Sequence, residues 1–308
     1  MFEPEDIISG ERFQQFADMY LGNPGDFLYN PVIFEQIEKH QILDDIDRPF
    51  DNPPTLFLYS HLLKQFAEKL LFFSNPFTLI THNSDFNLTE SDSVVQQILE
   101  SSKLVCWWGQ NLCFIHPKMR ILPIGIANSM WDHGKVENLM IGPIKKTQNV
   151  YFNFNIYTNP AKREPCYNAF NDQYEFLPML PFAENTKRLA QYKWCICPEG
   201  HGVDTHRLWE AMYLGSIPIV LKSPFIDALI QKMVGAEAGS RKIQHIWWVV
   251  VDELGSATPD ELYLPAPKDK KLREMTDFLA SNPAENLPVH YWAERLHMAE
   301  RTLIRRRS

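Results

Sequence analysis

The amino-acid sequence predicts an α/β protein made of two parallel-sheet units of similar size. Two observations carry this reading. Short continuous apolar runs, as in strands buried on both faces, alternate with stretches of helical spacing. That rhythm lapses between Trp131 and Lys146, where Gly134, Gly142 and Pro143 fall, and then starts again. The expected units are therefore 1–146 and 147–285, with a closing helical segment at 286–308.

Taken in order, the first 50 residues are weakly patterned. Asn30 is placed to cap a helix from Pro31 to Lys39, with proline at its tolerated first position. The cluster Pro49 to Pro54 reads as a loop. Thr55–Tyr59 is the first clear strand. Ser60 reads as an N-cap, and Leu62, Phe66 and Leu70 share one face of a helix running to Phe72. Phe77–Thr81 is a strand that ends in His82, Asn83, Ser84 and Asp85. Thr89 or Ser91 caps a helix reaching Glu100. Leu104–Trp108 and Arg120–Ile124 complete the strands of this unit.

The second unit opens with a strand over Asn149–Phe154 and a polar run, Asn155 to Asn159. A helix follows over Asn185–Gln191, then a strand over Lys193–Cys197. Asp204–Leu214 is helical, and Ile217–Leu221 and His245–Val251 are strands. Helices are expected over Lys271–Ala280 and Val289–Arg305.

Composition excludes several classes. Of 308 residues, 45% are hydrophobic and 22% charged, which is enough apolar material for a core and excludes a disordered chain. The 30 basic and 38 acidic residues leave a net charge of −8, which argues against a dedicated nucleic-acid partner. Five cysteines, an odd number, suggest reduced thiols rather than a disulfide framework. The acidic start Met1–Asp6 does not read as a signal peptide, and none is expected. No apolar run approaches the roughly 18 residues of a membrane span, so a cytoplasmic location is expected.

The chemistry concentrates between Cys197 and Val220. A buried strand ends at Cys197, and a loop with Gly200 and Gly202 lets backbone approach a ligand closely. Asp204 or Thr205 then caps a helix whose N-terminus points at the C-terminal edge of the sheet, where open α/β sheets bind ligands and free N–H groups favour an anion. Arg207 lies in the first turn, against the helix dipole, a cost that a bound phosphate would offset. Glu210 lies three residues on, on the same face. Gly215 is placed to end the helix.

These residues resemble the nucleotide-sugar motif of GT-B glycosyltransferases, and in particular the exostosin-like family. The family pattern G-x-D-x-x-R-x-x-E-A-x-x-x-G-x-I-P-V falls here on Gly202, Asp204, Arg207, Glu210, Ala211, Gly215, Ile217 and Pro218, with Ile219 in place of the final valine. The resemblance implies two Rossmann-like domains facing a cleft, with the final helix crossing back to the first domain. It implies a nucleotide diphosphate sugar as co-substrate, UDP favoured over GDP, bound by the second domain, and a glycan acceptor on the first. It implies no required metal or other cofactor. Arg207 would stabilise the leaving diphosphate, and Glu210 would hold the ribose. Membrane-anchored relatives exist, and the chain resembles a soluble bacterial or viral type.

Other residues extend this site. Arg163, with Asn155 and Thr158, follows the first strand of the second unit and is expected beside the donor phosphates. Gly200, His201, Gly202, Asp204 and His206 line the phosphate loop. Asp85 and His82 end a strand on the cleft side and are the candidate bases for an inverting transfer. His201, His206 and Glu210 lack the spacing of a metal site. Asp45-Ile46-Asp47 sits between a helix end and a proline-rich loop and reads as solvated acids. The alternative is a catalytically inactive nucleotide- or glycan-binding module of the same fold.

Overall fold

A computed structural model describes residues 6–22, 52–142, 144–226, 228–229 and 249–251. The expected helices over 31–39, 271–280 and 289–305, and the Asp45-Ile46-Asp47 motif, lie outside these residues.

The first half contains α1 (Gly10–Gln15), β1 (Met19–Leu21), β2 (Thr55–Tyr59), α2 (Leu63–Phe72), β3 (Phe77–His82), α3 (Ser93–Glu100), β4 (Leu104–Gly109) and β5 (Met119–Ile121). The second contains β6 (Gln148–Tyr151), α4 (Pro160–Phe170), α5 (Phe182–Leu189), β7 (Tyr192–Ile196), α6 (His206–Tyr213), β8 (Ile217–Leu221) and β9 (Val249–Val251). The strands form two sheets, β1-β2-β3-β4-β5 and β6-β7-β8-β9. Every pairing is parallel, for instance Tyr59 opposite His82 and Tyr151 opposite Cys195. Among the described strands, order follows chain order in both sheets, without the reversal that marks a switch point in a doubly wound sheet.

Parallel strands are buried on both faces, and the second sheet shows how. Val150, Trp194, Ile196 and Ile219 pack in one cluster with Cys166 and Phe170 of α4. The alternate residues Tyr151, Cys195 and Val220 belong to the other cluster, with Leu208, Trp209, Ala211 and Met212 of α6. That period of two is the strand geometry itself.

Several boundaries differ from the sequence expectation. Ser60 opens a short 3-10 turn and makes no cap bond. The cap of α3 is Asp92, whose carboxylate accepts from Val94 N and Val95 N. Strand β5 stops at Ile121, two residues before Pro123. Strand β6 stops at Tyr151, and α5 begins at Phe182. The helix α4 was not anticipated, because Pro160 and Pro165 both fall in it. Proline is at home in a first helical turn, and Pro165 is exposed. The segment α1–β1 was also not anticipated. Strand β1 forms one edge of the first sheet, and Glu11 of α1 accepts from Ser129 N and Oγ at 2.8 and 2.9 Å.

The boundary at residue 146 is not a gap in packing. One buried cluster takes residues from both halves, from Ile7 to Leu139 and from Tyr151 to Leu229. Polar bonds cross the same boundary. Tyr213 OH accepts from Ile8 N at 2.7 Å, and Asn87 Oδ1 accepts from Val203 N at 3.3 Å. These contacts bring the C-terminal end of the first sheet against the loop that follows β7.

Candidate functional site

The loop between β7 and α6 is built by three anchors. Gly202 is the first: a Cβ there would lie 2.3 Å from Asn111 Nδ2, so only glycine lets the loop lie on that side chain. Asn111 follows β4 with φ of 53°, a left-handed conformation that asparagine tolerates. Its Oδ1 accepts from Asp204 N at 3.1 Å and its Nδ2 donates to Ser84 O at 3.3 Å. Asp204 is the second anchor. Its carboxylate accepts from Ile124 N at 2.6 Å and from Trp209 Nε1 at 2.9 Å. Burial pushes its pKa up to about 7, against the three N–H donors around it. His206 is the third, donating from Nδ1 to Gly125 O at 2.8 Å. Burial lowers its pKa, which leaves a neutral ring with Nε2 as its basic nitrogen.

Thr205 therefore occupies the N-cap position, in extended conformation and without a side-chain cap bond, while Asp204 turns to the first half of the chain. Gly200 serves by close approach, since its Cβ would meet Arg163 Nη2 at 3.3 Å. Gly215 ends α6 with φ of 71°, as its position in the sequence predicts.

Arg207 and Glu210 form an ion pair, Nε to Oε2, at 3.1 Å, with side chains only 19% and 6% exposed. The guanidinium also donates from Nη1 to Asn153 O at 2.8 Å and lies 5.5 Å from the centre of the Tyr151 ring. Burial alone would lower the Arg207 pKa, but Glu210 and then Cys195 more than offset this, so the group is charged. Beneath it, Cys195 and Cys197 are both buried. Burial raises the Cys195 thiol, and Cys197 and Arg207 beside it bring it below its ordinary value. Burial holds Cys197 well above.

Arg163 of α4 comes to the same loop. It donates from Nε to Glu199 O and from Nη1 to Asn155 O, each at 2.8 Å, and lies over Phe154. Burial and the charge of Arg207 lower its pKa. Arg163 and Arg207 thus bond carbonyls two residues apart, those of Asn155 and Asn153. Asn155 accepts from Tyr157 N at 3.0 Å, shaping the short turn that contains Thr158. Asn159 Nδ2 donates to Gly200 O at 2.6 Å, which ties this turn to the glycine loop.

The two residues from the first half part company. His82 is 1% exposed, with Nε2 donating to Pro123 O at 3.0 Å and Nδ1 accepting from Asn83 N at 2.8 Å. Burial takes its pKa down to about 4. It is a neutral strut inside the sheet edge. Asp85 is 69% exposed, and its Oδ2 lies 3.4 Å from Nδ1 of His201, itself 61% exposed. That contact joins the two halves across the opening of the site. Among the described residues no group of three or more His, Cys, Asp or Glu side chains is placed to hold a metal ion. No described helix is long and apolar enough to cross a membrane.

The chain is similar to a probable glycosyltransferase of Arabidopsis thaliana. The two are 26% identical over 135 residues, which is 41% of this chain and 27% of the plant protein. The chain thus spans about a quarter of the length of the curated relative it matches. No protein-family model matches it.

Three residues that build the candidate site do not figure in the sequence expectation. Asn111 positions the loop, Tyr151 packs under Arg207, and Asn153 holds Arg207 through its carbonyl. Asn111 had a usable signal, as an asparagine just past a strand end. The other two lie on the expected strand, where nothing distinguishes them from core residues. Together the arrangement holds two cations on the backbone after β6, one buried carboxylate and an exposed acid–imidazole pair.

Proposed function

We propose that this chain is an exostosin-like glycosyltransferase of GT-B type that moves a sugar from a nucleotide diphosphate sugar to a glycan hydroxyl. The observation that carries the reading is that Arg207 and Arg163 bond carbonyls two residues apart, Asn153 O and Asn155 O, with Glu210 buried beside Arg207. Two guanidiniums held on one short stretch of backbone favour a bridging anion, and a diphosphate leaving group would develop its charge there in the transition state. They supply counter-charge that would otherwise come from a metal ion, so transfer is proposed to be metal-independent. Glu210, already fixed by Arg207, accepts from ribose hydroxyls. Similarity to a plant protein described as a probable glycosyltransferase supports sugar transfer in general. UDP is the favoured nucleotide on the motif resemblance.

For an inverting transfer, Asp85 is the base on the acceptor hydroxyl, with His201 beside it. His82 lacks access for that role. A catalytically inactive binding module is the second reading, and the sealing of His82 favours it, since one of the two candidate bases is removed. Thermal unfolding with UDP, GDP, dTDP and CMP, with and without Mg²⁺, tests the site. A ligand at about 100 times its Kd adds roughly 2.7 kcal/mol of stability. A Mg²⁺-independent shift with one diphosphate, absent in Glu210→Ala, is the expected result; no shift with any nucleotide overturns the reading. Product formation from donor and acceptor then separates the enzyme from the inactive module.

A further inference from the structure

Four aromatic rings drawn from both halves of the chain meet beside the start of α6. Trp131 and His133, which flank Asp132 after the first sheet, lie offset-stacked, with ring centres 6.0 Å apart and planes 22° from parallel. Phe182 of α5 meets His133 edge-on at 6.2 Å, and His206 of α6 lies 6.3 Å from it on a tilt. The turn beneath is fixed. Trp131 N donates to Asn128 O at 3.0 Å, Gly134 N donates to Trp131 O at 2.8 Å, and a Cβ at Gly134 would collide with Asn128 O. Trp131 is nonetheless 50% exposed.

We propose that the Trp131–His133 stack seats a sugar ring of the acceptor glycan, and that this ring is not the one that reacts. The inference rests on the reading of the chain as a glycosyltransferase with Asp85 as base. Three observations support it. The stack is held rigid before any ligand arrives, by the glycine turn below and by Phe182 at its side, so little order is lost on binding. Polar groups border it. Asp132 Oδ1 and Lys135 Nζ pair at 2.6 Å on the same turn, and the Asp132 side chain is 86% exposed. Nδ1 of His206 donates to Gly125 O, and among the described residues its Nε2 has no hydrogen-bond partner. Thirdly, the stack meets the loop between β7 and α6 at His206, whereas Asp85 meets that loop at His201.

The chemistry suits a sugar. Its ring presents C–H groups on a face and hydroxyls around an edge. The indole face carries the negative part of the ring quadrupole and takes the C–H groups. The hydroxyls then meet a carboxylate that accepts, an ammonium that donates and the lone pair of the His206 imidazole. Platform and base stand at different ends of one loop, so a glycan that reaches both brings more than one unit. An oligosaccharide is therefore the acceptor, and a single sugar is a poor one.

The test is calorimetric titration of the full chain, with UDP present, using cello-, malto-, xylo-, manno- and chito-oligosaccharides of one to four units. One series is expected to bind, its trimer about tenfold or more tighter than its monomer. Trp131→Leu keeps apolar bulk without a ring and is expected to weaken trimer binding by about tenfold; Trp131→Phe keeps a ring and is expected to hold most of it. Thermal unfolding with UDP runs alongside, and its shift is expected to be the same in all three proteins. A UDP shift in a wild type that binds no oligosaccharide overturns the platform and leaves the transferase reading standing. Binding of neither overturns both. Trimer binding that Trp131→Leu loses, in a chain with no nucleotide shift, supports a glycan site at the stack and overturns its acceptor role. Equal affinity for monomer and trimer overturns the separation of platform and base. Unchanged trimer affinity in Trp131→Leu overturns the stack itself.

Discussion

Asp204 Oδ2 accepts the N–H of Ile124 at 2.6 Å across a separation of 80 residues. Its other oxygen takes the indole N–H of Trp209, so one buried carboxylate joins the end of the first sheet to the helix that bears Arg207. Asp204→Ala would leave two buried donors unpaired. The expected loss is about 3 kcal/mol, with a smaller loss of about 1–2 kcal/mol for Asp204→Asn, which keeps one acceptor. Urea unfolding measures both.

Gly202 meets Asn111 at a distance that excludes any side chain. Gly202→Ala is expected to cost about 1–3 kcal/mol, the usual range for overpacking. Because the displaced neighbour holds the loop, the thermal shift with UDP should weaken as well. A variant with wild-type stability and binding would show that the loop is not held there.

Arg207 and Glu210 are buried together, so removing either alone leaves a charge unpaired. Arg207→Ala should destabilise by about 3 kcal/mol and abolish the UDP shift. The double change Arg207→Met with Glu210→Leu separates the two effects. It is expected to restore much of the stability, since an apolar pair can replace a buried ion pair. It should not restore the nucleotide shift.

Two buried groups set opposing pH dependences. His82 titrates near 4 in the folded chain against an ordinary 6.5. As pH falls from about 6.5 to about 4 the unfolded chain takes up a proton that the folded chain refuses, so stability is lost, by roughly 3 kcal/mol in all. Asp204 has its pKa raised from 3.8 to about 7. As pH rises from about 4 to about 7 the unfolded chain gives up a proton that the folded chain keeps, so this contribution is lost in the other direction. His206, also lowered by burial, adds to the His82 effect, so wild type should lose stability gently as pH falls through this window. Asp204→Asn removes the second effect and should show a stability that rises more steeply with pH over that window, measured by denaturant unfolding at several pH values.

Asp85 stands exposed at the opening, beside His201. If it is the base, Asp85→Asn should lower kcat by about 10²- to 10⁴-fold and leave the UDP shift unchanged. Steady-state turnover read alongside thermal unfolding decides this. Equal turnover in the variant removes Asp85 from the chemistry.

Much of the architecture was legible because parallel strands announce themselves as apolar runs, and all seven strands expected from Thr55 to Leu221 formed, two of them ending three residues early. The pairing of Arg207 with Glu210 was legible from helical spacing alone. What the spacing could not show was depth. A charged pair three residues apart reads the same on a surface as beneath a loop, and its burial depends on Tyr151 and Asn153, which are distant in sequence. His82 and Asp85 are three residues apart at one strand end, yet one is sealed by Pro123 and the other is in solvent. Helix α4 was hidden by its two prolines, and with it the route by which Arg163 reaches the loop.

The strand order carries a consequence for how the chain assembles. Each strand pairs with the next one made, so the first sheet can form while the second half is still being synthesised. Until then, the N–H of Ile124 and the side chain of Asn111 have no Asp204 to meet, and the carbonyl of Gly125 has no His206. These bonds close only when residues 202–206 arrive. The bond from Ile8 to Tyr213, spanning 205 residues, comes later still. The loop that bears the arginine site is thus among the last parts to be set, moulded on an edge that was complete before it existed.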